Sequence, residues 1–500
     1  MARDRAAKRA QTGNGKHAKG AGHDETVGLG AYFLSLTLEN VRCFAKAQTL
    51  RLADAEGRPA RWTVLLGENG MGKTTLLQTL VTAAPAHFGL WEKDASAEWA
   101  FYTWASGALE LWTIAHLPRG TPPFEGQGAV STVEARLKVS YGLLEPGPET
   151  SLGYTIRPRR GPLGLHVSNE GGRATPTPGG RFRGVGPFNR VFLAAYGPYR
   201  RLSPTSLVEP DERGEFYVGA FETLFDSDAM LPNAEEWYLQ RDYEAAKTGS
   251  VAAEQQRDRV RDILLRVLPG VSEITPRFGE PGAGKARLFA KTGDGLVPVS
   301  ELGLGYQSTL AWVTDLAVRL FAAFPESPDP LAEPCVVLVD EIDLHLHPRW
   351  QRTLLDAISS TFPNAQFIVT AHSPLVVQAA PDANLAVLRR RGDHVVIEQA
   401  PDAVRHWRVD QILTSDLFGL PSARPAALDA SLKRRDEILA KDTLTQEDEA
   451  ELATLRERIA ALPGGETPLA MEAEEILRRA AKQAAAEKPR PGAKPRARRA

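Results

Sequence analysis

Residues Gly67-Glu68-Asn69-Gly70-Met71-Gly72-Lys73-Thr74 satisfy the spacing G-x-x-x-x-G-K-[ST]. Each residue type in that run has a task in holding a triphosphate. Gly67, Gly70 and Gly72 can adopt backbone angles that other residues avoid, so successive N–H groups turn inward toward phosphate oxygens. A helix beginning at the end of the loop presents its positive N-terminal end to the same anion. Lys73 supplies a mobile ammonium for the β- and γ-phosphates, and the Thr74 hydroxyl is a hard oxygen ligand for Mg²⁺. With Asn69 inside the loop and Thr75 just beyond it, the expected nucleotide-binding set here is Gly67, Asn69, Gly70, Gly72, Lys73, Thr74 and Thr75.

Such a loop needs a distant carboxylate to steady the metal. Asp340 ends the apolar run Cys335–Val339, where a Walker B aspartate belongs, and Glu341 follows it directly. An acid at that second position can polarise an attacking water as a general base. Thr74 and Asp340 are therefore the expected Mg²⁺ ligands, and Glu341 the expected catalytic acid–base group. His372 follows another buried run, Ala365–Thr370, and side chains at the carboxyl ends of adjacent parallel strands face a shared ligand crevice. It is placed to hydrogen-bond a γ-phosphate. His345 and His347 lie two apart with no obvious third ligand, so packing or an interface is the expected role.

These groups depend on an α/β frame. Phe33–Leu38 and Gln48–Leu52 alternate apolar and polar residues, as half-buried strands do. Trp62–Leu66 is a short apolar strand, and Thr74–Val81 reads as the helix after the glycine loop. Strand-like runs (Ala135–Val139), loops dense in Gly and Pro (Gly161 to Gly186) and two helices (Asn233–Lys247, Ala252–Val267) fill residues 85–290. The α/β pattern then resumes. Helices are expected at Tyr306–Phe321 and Arg349–Phe362, buried strands at Cys335–Val339 and Ala365–Thr370, and a closing pair at Leu385–Arg389 and His394–Gln399. Wholly apolar β-branched strands of this kind belong in a parallel sheet covered on both faces. Residues 427–480 read as a helical hairpin broken near Asp442–Thr445, with Thr445 and Asp448 at capping-box spacing.

The 500 residues carry a net charge of −2, so the whole molecule is not a cationic nucleic-acid binder. Cys43 and Cys335, the two cysteines, cannot build a disulfide framework and suit a reducing cytoplasm. No run approaches the roughly 18 apolar residues of a membrane span. A soluble, cytoplasmic protein is expected, with basic tails at 1–27 and 488–500 that read as disordered.

Taken in order, the glycine loop, Leu302-Gly303-Leu304-Gly305-Tyr306-Gln307, VLVDEIDLHLHP and TAHSP resemble the ABC-type AAA ATPases of the RecF, SMC and overcoming-lysogenisation group. Asn40-Val41-Arg42-Cys43-Phe44 is similar to that group's N-x-R-x-F segment, which implies that Arg42 lies near the nucleotide. The resemblance also implies a homodimer or higher homo-oligomer, in which a signature loop (Leu302, Gly303, Gly305, Gln307) of one head caps the nucleotide of the other. It makes DLHLHP a D-loop and His372 a switch histidine. Gly303 stands where the family has a serine, removing one γ-phosphate donor. Tyr196–Arg200 is the best match for the Q-loop region.

Within the group, Tyr196–Arg200, Thr223–Asp226 with Trp237, and His406–Leu413 with Leu417–Leu420 resemble compact ATPases of bacterial anti-phage systems of the Septu and retron-associated kind. That implies a separately encoded partner nuclease of the HNH type, with nucleic acid reached through the complex. The expected architecture is an ABC-type P-loop head over 28–400 containing an inserted mixed region at about 85–290. A helical appendix for partner docking follows at 401–487. The expected activity is ATP hydrolysis with Mg²⁺. Alternatives are a RecF-like repair ATPase using Arg157, Arg159, Arg160, Arg181 and Arg183 on DNA, a scaffold that binds ATP with negligible turnover, and a transporter subunit. The degenerate signature and long insertion argue against the last.

Overall fold

A computed structural model describes residues 31–83, 135–143, 150–156, 192–203, 220–277, 286–399, 407–420, 422–441, 443–460, 473 and 476–477. The expected tails, the glycine- and proline-rich loops at 161–186 and the candidate patch of Arg157, Arg159, Arg160, Arg181 and Arg183 lie outside these residues. The chain divides into two compact units at Trp407–Arg408.

In the first unit the strands are β1 (Ala31–Glu39), β2 (Gln48–Arg51), β3 (Trp62–Leu66), β4 (Ala135–Leu143), β5 (Thr150–Ile156), β6 (Leu193–Tyr196), β7 (Glu273–Arg277), β8 (Arg287–Thr292), β9 (Gly295–Pro298), β10 (Cys335–Val339), β11 (Ala365–Thr370), β12 (Asn384–Arg391) and β13 (His394–Gln399). The central sheet has the order β13-β12-β3-β11-β10-β6. Strands β12, β3, β11, β10 and β6 run parallel, and β13 closes one edge as an antiparallel hairpin partner of β12. Every residue of β3, β10 and β11 is buried, which explains why these strands are continuous apolar runs.

A second, antiparallel sheet has the order β2-β1-β4-β5. In β1, Leu36 and Leu38 are buried while Ser35 and Thr37 are half-buried, the alternation of a sheet with one face on the core. The helix Lys73–Ala83 lies between the two sheets. Its Leu76, Leu77 and Leu80 share one core with Leu36, Leu38, Leu50 and Leu52 on one side and Leu65, Val336, Leu338 and Ile368 on the other. Each such leucine contributes about 1.5–3 kcal/mol relative to exposure. The helix that follows the glycine loop is therefore clamped on both sides, and the loop inherits that rigidity.

The stretch 85–290 differs from the single inserted block expected. β4 and β5 complete the sheet begun by β1, and β6 pairs directly with β10 in the central sheet. With four residues, Leu193–Tyr196 is too short to show a period, so its place beside the Asp340 strand is set by tertiary pairing. The helices Ala234–Thr248 and Val251–Val267 are close to their expected positions, capped by Asn233 and Ser250 side chains. They pack with the small sheet β7-β8-β9. The helix Leu304–Ala323 packs beside β6, Trp312 lying 5.6 Å from the Tyr196 ring, and Tyr196 donates to Asp315, which also pairs with Arg319.

The second unit contains the short helix Val409–Thr414 and an antiparallel helical hairpin, Ala426–Leu439 and Gln446–Ala460. Leu428 and Leu432 at the start of one helix meet Ile459 at the end of the other, while Ile438 meets Leu452 and Leu455 near the turn. The capping box holds, with Asp448 N–H donating to Thr445 Oγ1 and Thr445 N–H to Asp448 Oδ2. No helix among the described residues is long and apolar enough to cross a membrane.

Candidate nucleotide site

Strands β3, β11, β10 and β6 are consecutive and parallel, so their carboxyl ends form one row. The glycine loop follows β3, His372 follows β11, and Asp340 and Glu341 follow β10. Residues 67–74 and 340–341, separated by more than half the chain, meet there because β11 is the only strand between β3 and β10.

The loop has the backbone its composition promised. Gly67, Gly70 and Gly72 have φ of 144°, 77° and 88°. Two of them are also required by space. A Cβ on Gly67 would stand 2.8 Å from the Leu388 carbonyl oxygen, and one on Gly72 would stand 2.6 Å from Cys43 Sγ. Lys73 Nζ donates to the carbonyls of Gly67 (2.7 Å) and Glu68 (3.0 Å), which folds the ammonium over the loop. Burial lowers the Lys73 pKa, and Asp340, Glu341 and Asp343 act against that shift.

Asp340 is 2% exposed, and both carboxylate oxygens are occupied. Thr74 Oγ1 donates to Oδ2 (2.6 Å) and Thr370 Oγ1 donates to Oδ1 (2.5 Å). The expected pair of Mg²⁺ ligands is thus in direct contact, two hard oxygens of the kind this ion takes. Glu341 has φ 48°, a left-handed conformation costly for a residue with a side chain, and its N–H donates to Thr370 Oγ1 (2.7 Å). His372 is exposed toward the cleft, its backbone N–H donating to Asp343 (3.1 Å to Oδ2).

A cleft of about 450 Å³ is lined by Asn69, Gly70, Gly72, Lys73, Thr74 and Thr75 from the loop and helix. Asp340, Glu341 and His372 line it from the sheet, and Arg42 and Cys43 from the turn after β1. That turn is closed by reciprocal hydrogen bonds between Val41 and Phe44, with Arg42 at φ 45° and its Nη1 donating to Thr75 Oγ1 (3.4 Å). Ten of these lining positions, all but Cys43, belong to the set read from the sequence. Gly67 of that set helps form the loop through its carbonyl contact with Lys73.

Three participants were missed. Thr370 bridges Asp340 and Glu341, and Asp343 fixes the backbone of His372. Arg200 is 4% exposed and donates to the carbonyls of Asp340 and Glu341; burial pulls its pKa down to about 10. Strand-end threonines carry no sequence signal. Arg200 lay inside the flagged segment Tyr196–Arg200, but its role requires the β6–β10 pairing.

The four signature-loop residues separate. Leu302 and Gly305 are buried in their own chain, and Gln307 Nε2 donates to the carbonyls of Ser300 and Leu302. Gly305 faces the His345 carbonyl of its own chain rather than open surface. Gly303 is exposed with nothing near its Cβ position, and Leu304 beside it is 65% exposed. His347 Nδ1 accepts from Arg349 N–H and caps the helix Pro348–Thr361, while His345 is exposed at φ 63°.

Residues 191–378 match the family described as "AAA domain, putative AbiEii toxin, Type IV TA system". The chain is 24% identical over 403 residues to the Septu protein PtuA of Bacillus mycoides (strain KBAB4), covering 80% of this chain and 46% of that one. It is 32% identical over 153 residues to the "Retron Ec83 probable ATPase" of Escherichia coli, covering 31% of this chain and 27% of that one. The matched stretches thus span less than half of each relative. The SMC head domain from Thermotoga maritima is similar in structure at a TM-score of 0.36 and 14% identity, covering 74% of this chain and 99% of that chain. The parallel sheet order, the glycine loop and the Asp340–Glu341 pair give this chain an α/β P-loop architecture, and its sequence is similar to an AAA domain over residues 191–378, to the Septu protein PtuA and to a retron probable ATPase.

Proposed function

We propose that this protein binds ATP with Mg²⁺, hydrolyses it, and serves as the regulatory ATPase of a bacterial anti-phage defence complex. The observation that carries the catalytic reading is the Thr74–Asp340 contact of 2.6 Å, with Lys73 and Glu341 lining the same cleft. Inward-facing loop amides and the Lys73 ammonium would bind the β- and γ-phosphates. Thr74 and Asp340 would hold Mg²⁺, which when bound supplies charge neutralisation at the phosphates. Glu341 would take the proton of the attacking water, and His372 would hydrogen-bond the γ-phosphate.

Similarity to the Septu and retron ATPases supports the defence setting. In this reading, nucleotide-dependent pairing of two heads controls a partner nuclease of the HNH type, and the helical hairpin after residue 425 offers a docking element. The exposed Gly303–Leu304 corner is the part of the signature loop available to a second copy.

Phosphate release by wild type and by Glu341→Gln tests the catalytic part. Turnover in wild type, falling at least about a hundredfold in the variant with ATP binding retained, is expected for loss of a general base. Equal, near-zero rates in both would make the protein a nucleotide-gated scaffold. Co-purification with the product of the neighbouring reading frame, with and without ATP, tests the partner.

A further inference from the structure

Arg200 sits four residues beyond β6, behind the cleft rather than in its lining. Its guanidinium is buried and its four hydrogen bonds have uncharged acceptors. Nη1 donates to the carbonyls of Gly197 (2.9 Å) and Asp340 (2.6 Å), Nη2 to the carbonyl of Glu341 (3.0 Å), and Nε to Ser308 Oγ (3.1 Å). Burying a cation against carbonyls is costly, and a planar fork is the one side chain that can reach three of them at fixed angles. Two of those carbonyls flank the Cα of Glu341, where the chain leaves β10 and enters a left-handed turn. Non-glycine residues hold that conformation only where surrounding bonds over-determine it. From the other side, Thr370 Oγ1 accepts the Glu341 N–H. The fourth bond goes elsewhere, to the first turns of the helix Leu304–Ala323, whose exposed Leu304 lies one turn before Ser308.

We propose that Arg200 is a positioning residue for hydrolysis: it fixes the Asp340–Glu341 backbone so that the Glu341 carboxylate faces the cleft, and through Ser308 it ties that backbone to the start of the helix Leu304–Ala323. A shift of that helix would then reach the general base without touching the nucleotide. The inference rests on the ATP-hydrolysis reading above.

The test uses the full chain, measuring kcat and KM for ATP, the affinity of a fluorescent ATP analogue, and the thermal midpoint. Arg200→Lys keeps the charge but loses the fork. Its kcat is expected to fall at least tenfold while analogue affinity stays within about threefold of wild type. Ser308→Ala is milder and is expected to lower kcat about threefold. Adding Ser308→Ala to Arg200→Lys should cost nothing further, because the shared bond is already gone. An Arg200→Lys kcat within twofold of wild type overturns the proposal, as does a parallel loss of kcat and affinity. If Arg200→Lys does not fold, Ser308→Ala decides, and an unchanged kcat there overturns it. Wild type that binds ATP without turnover overturns the hydrolysis reading and this inference together. Active wild type with indifferent variants overturns this inference alone.

Discussion

Gly305 and His345 meet backbone to backbone: a Cβ on Gly305 would fall inside contact distance of the His345 carbonyl oxygen. The start of the helix Leu304–Ala323 is thereby pressed against the loop that follows Glu341, at a residue itself held at φ 63°. A methyl group at 305 must push that loop away. Gly305→Ala is expected to cost about 1–3 kcal/mol, the usual range for overpacking, and to lower turnover by disturbing the Glu341 segment. Gly303→Ala, two residues earlier, meets nothing within 4 Å and should leave stability within about 0.5 kcal/mol. Thermal unfolding of the two variants side by side checks this, and equal midpoints would show that the loop yields freely.

Thr370 offers a second handle. Its hydroxyl donates to Asp340 Oδ1 and accepts from Glu341 N–H, so one side chain orders both acids. Thr370→Val preserves shape and removes both bonds. Hydrogen bonds to charged groups contribute about 1.5–3 kcal/mol, so turnover should fall roughly ten- to a hundredfold. The phosphate-binding loop is untouched, and affinity for a nonhydrolysable ATP analogue should change by less than about threefold. Unchanged turnover would mean that Asp340 and Glu341 are held without this bridge.

The contrast between Lys73 and Arg200 shows what could be read from sequence and what could not. Lys73 belongs to a run of eight adjacent residues whose types and spacing alone imply phosphate binding. Asp340 was legible because β10 is a wholly buried run that ends on it. Arg200, Thr370 and Asp343 act through bonds spanning 140, 30 and 29 positions, and such bonds exist only once β6, β10 and β11 are side by side. The same holds for the sheet itself. β3, β10 and β11 announce themselves by length and apolarity, whereas four-residue β6 acquires its meaning from its partner.

Gln366 illustrates the same dependence in the core. It lies at 1% exposure as the second residue of the otherwise largely apolar β11, an odd residue for a buried strand. Its Oε1 accepts from Phe33 N–H (2.9 Å) and its Nε2 donates to the Phe33 carbonyl (2.8 Å), pinning β1 of the second sheet to the central one. Gln366→Leu fits the space but removes both bonds, together with the longer ones that Nε2 gives the Leu52 (3.3 Å) and Ala60 (3.4 Å) carbonyls. A loss of at least about 2 kcal/mol is expected, at about 1 kcal/mol for each of the two shorter bonds. The urea midpoint measures it. A variant as stable as wild type would mean that the remaining contacts between the sheets, such as Asn384 and Gln399 donating to the Arg51 carbonyl, suffice without this bridge.

The hairpin of the second unit carries a pH dependence whose sign follows from Asp448. That carboxylate accepts from Lys441 Nζ (2.5 Å), Thr445 N–H (3.0 Å) and Thr445 Oγ1 (2.9 Å). The Lys441 bond first, and then the Thr445 bonds, hold its pKa down at about 2. An unfolded aspartate titrates near about 3.9. Because the folded value is the lower one, the contribution is fully present above about pH 4 and disappears as pH falls toward 2. Asp448→Asn removes the ionised partner at every pH. Hydrogen-exchange protection of the helix Gln446–Ala460 should therefore be lower in the variant at pH 5, and the gap should close as both proteins approach pH 2. At each pH the two proteins share nearly the same intrinsic exchange rates, so the comparison isolates the cap. A gap that stays constant from pH 5 to pH 2 would exclude an ionised Asp448 as its source.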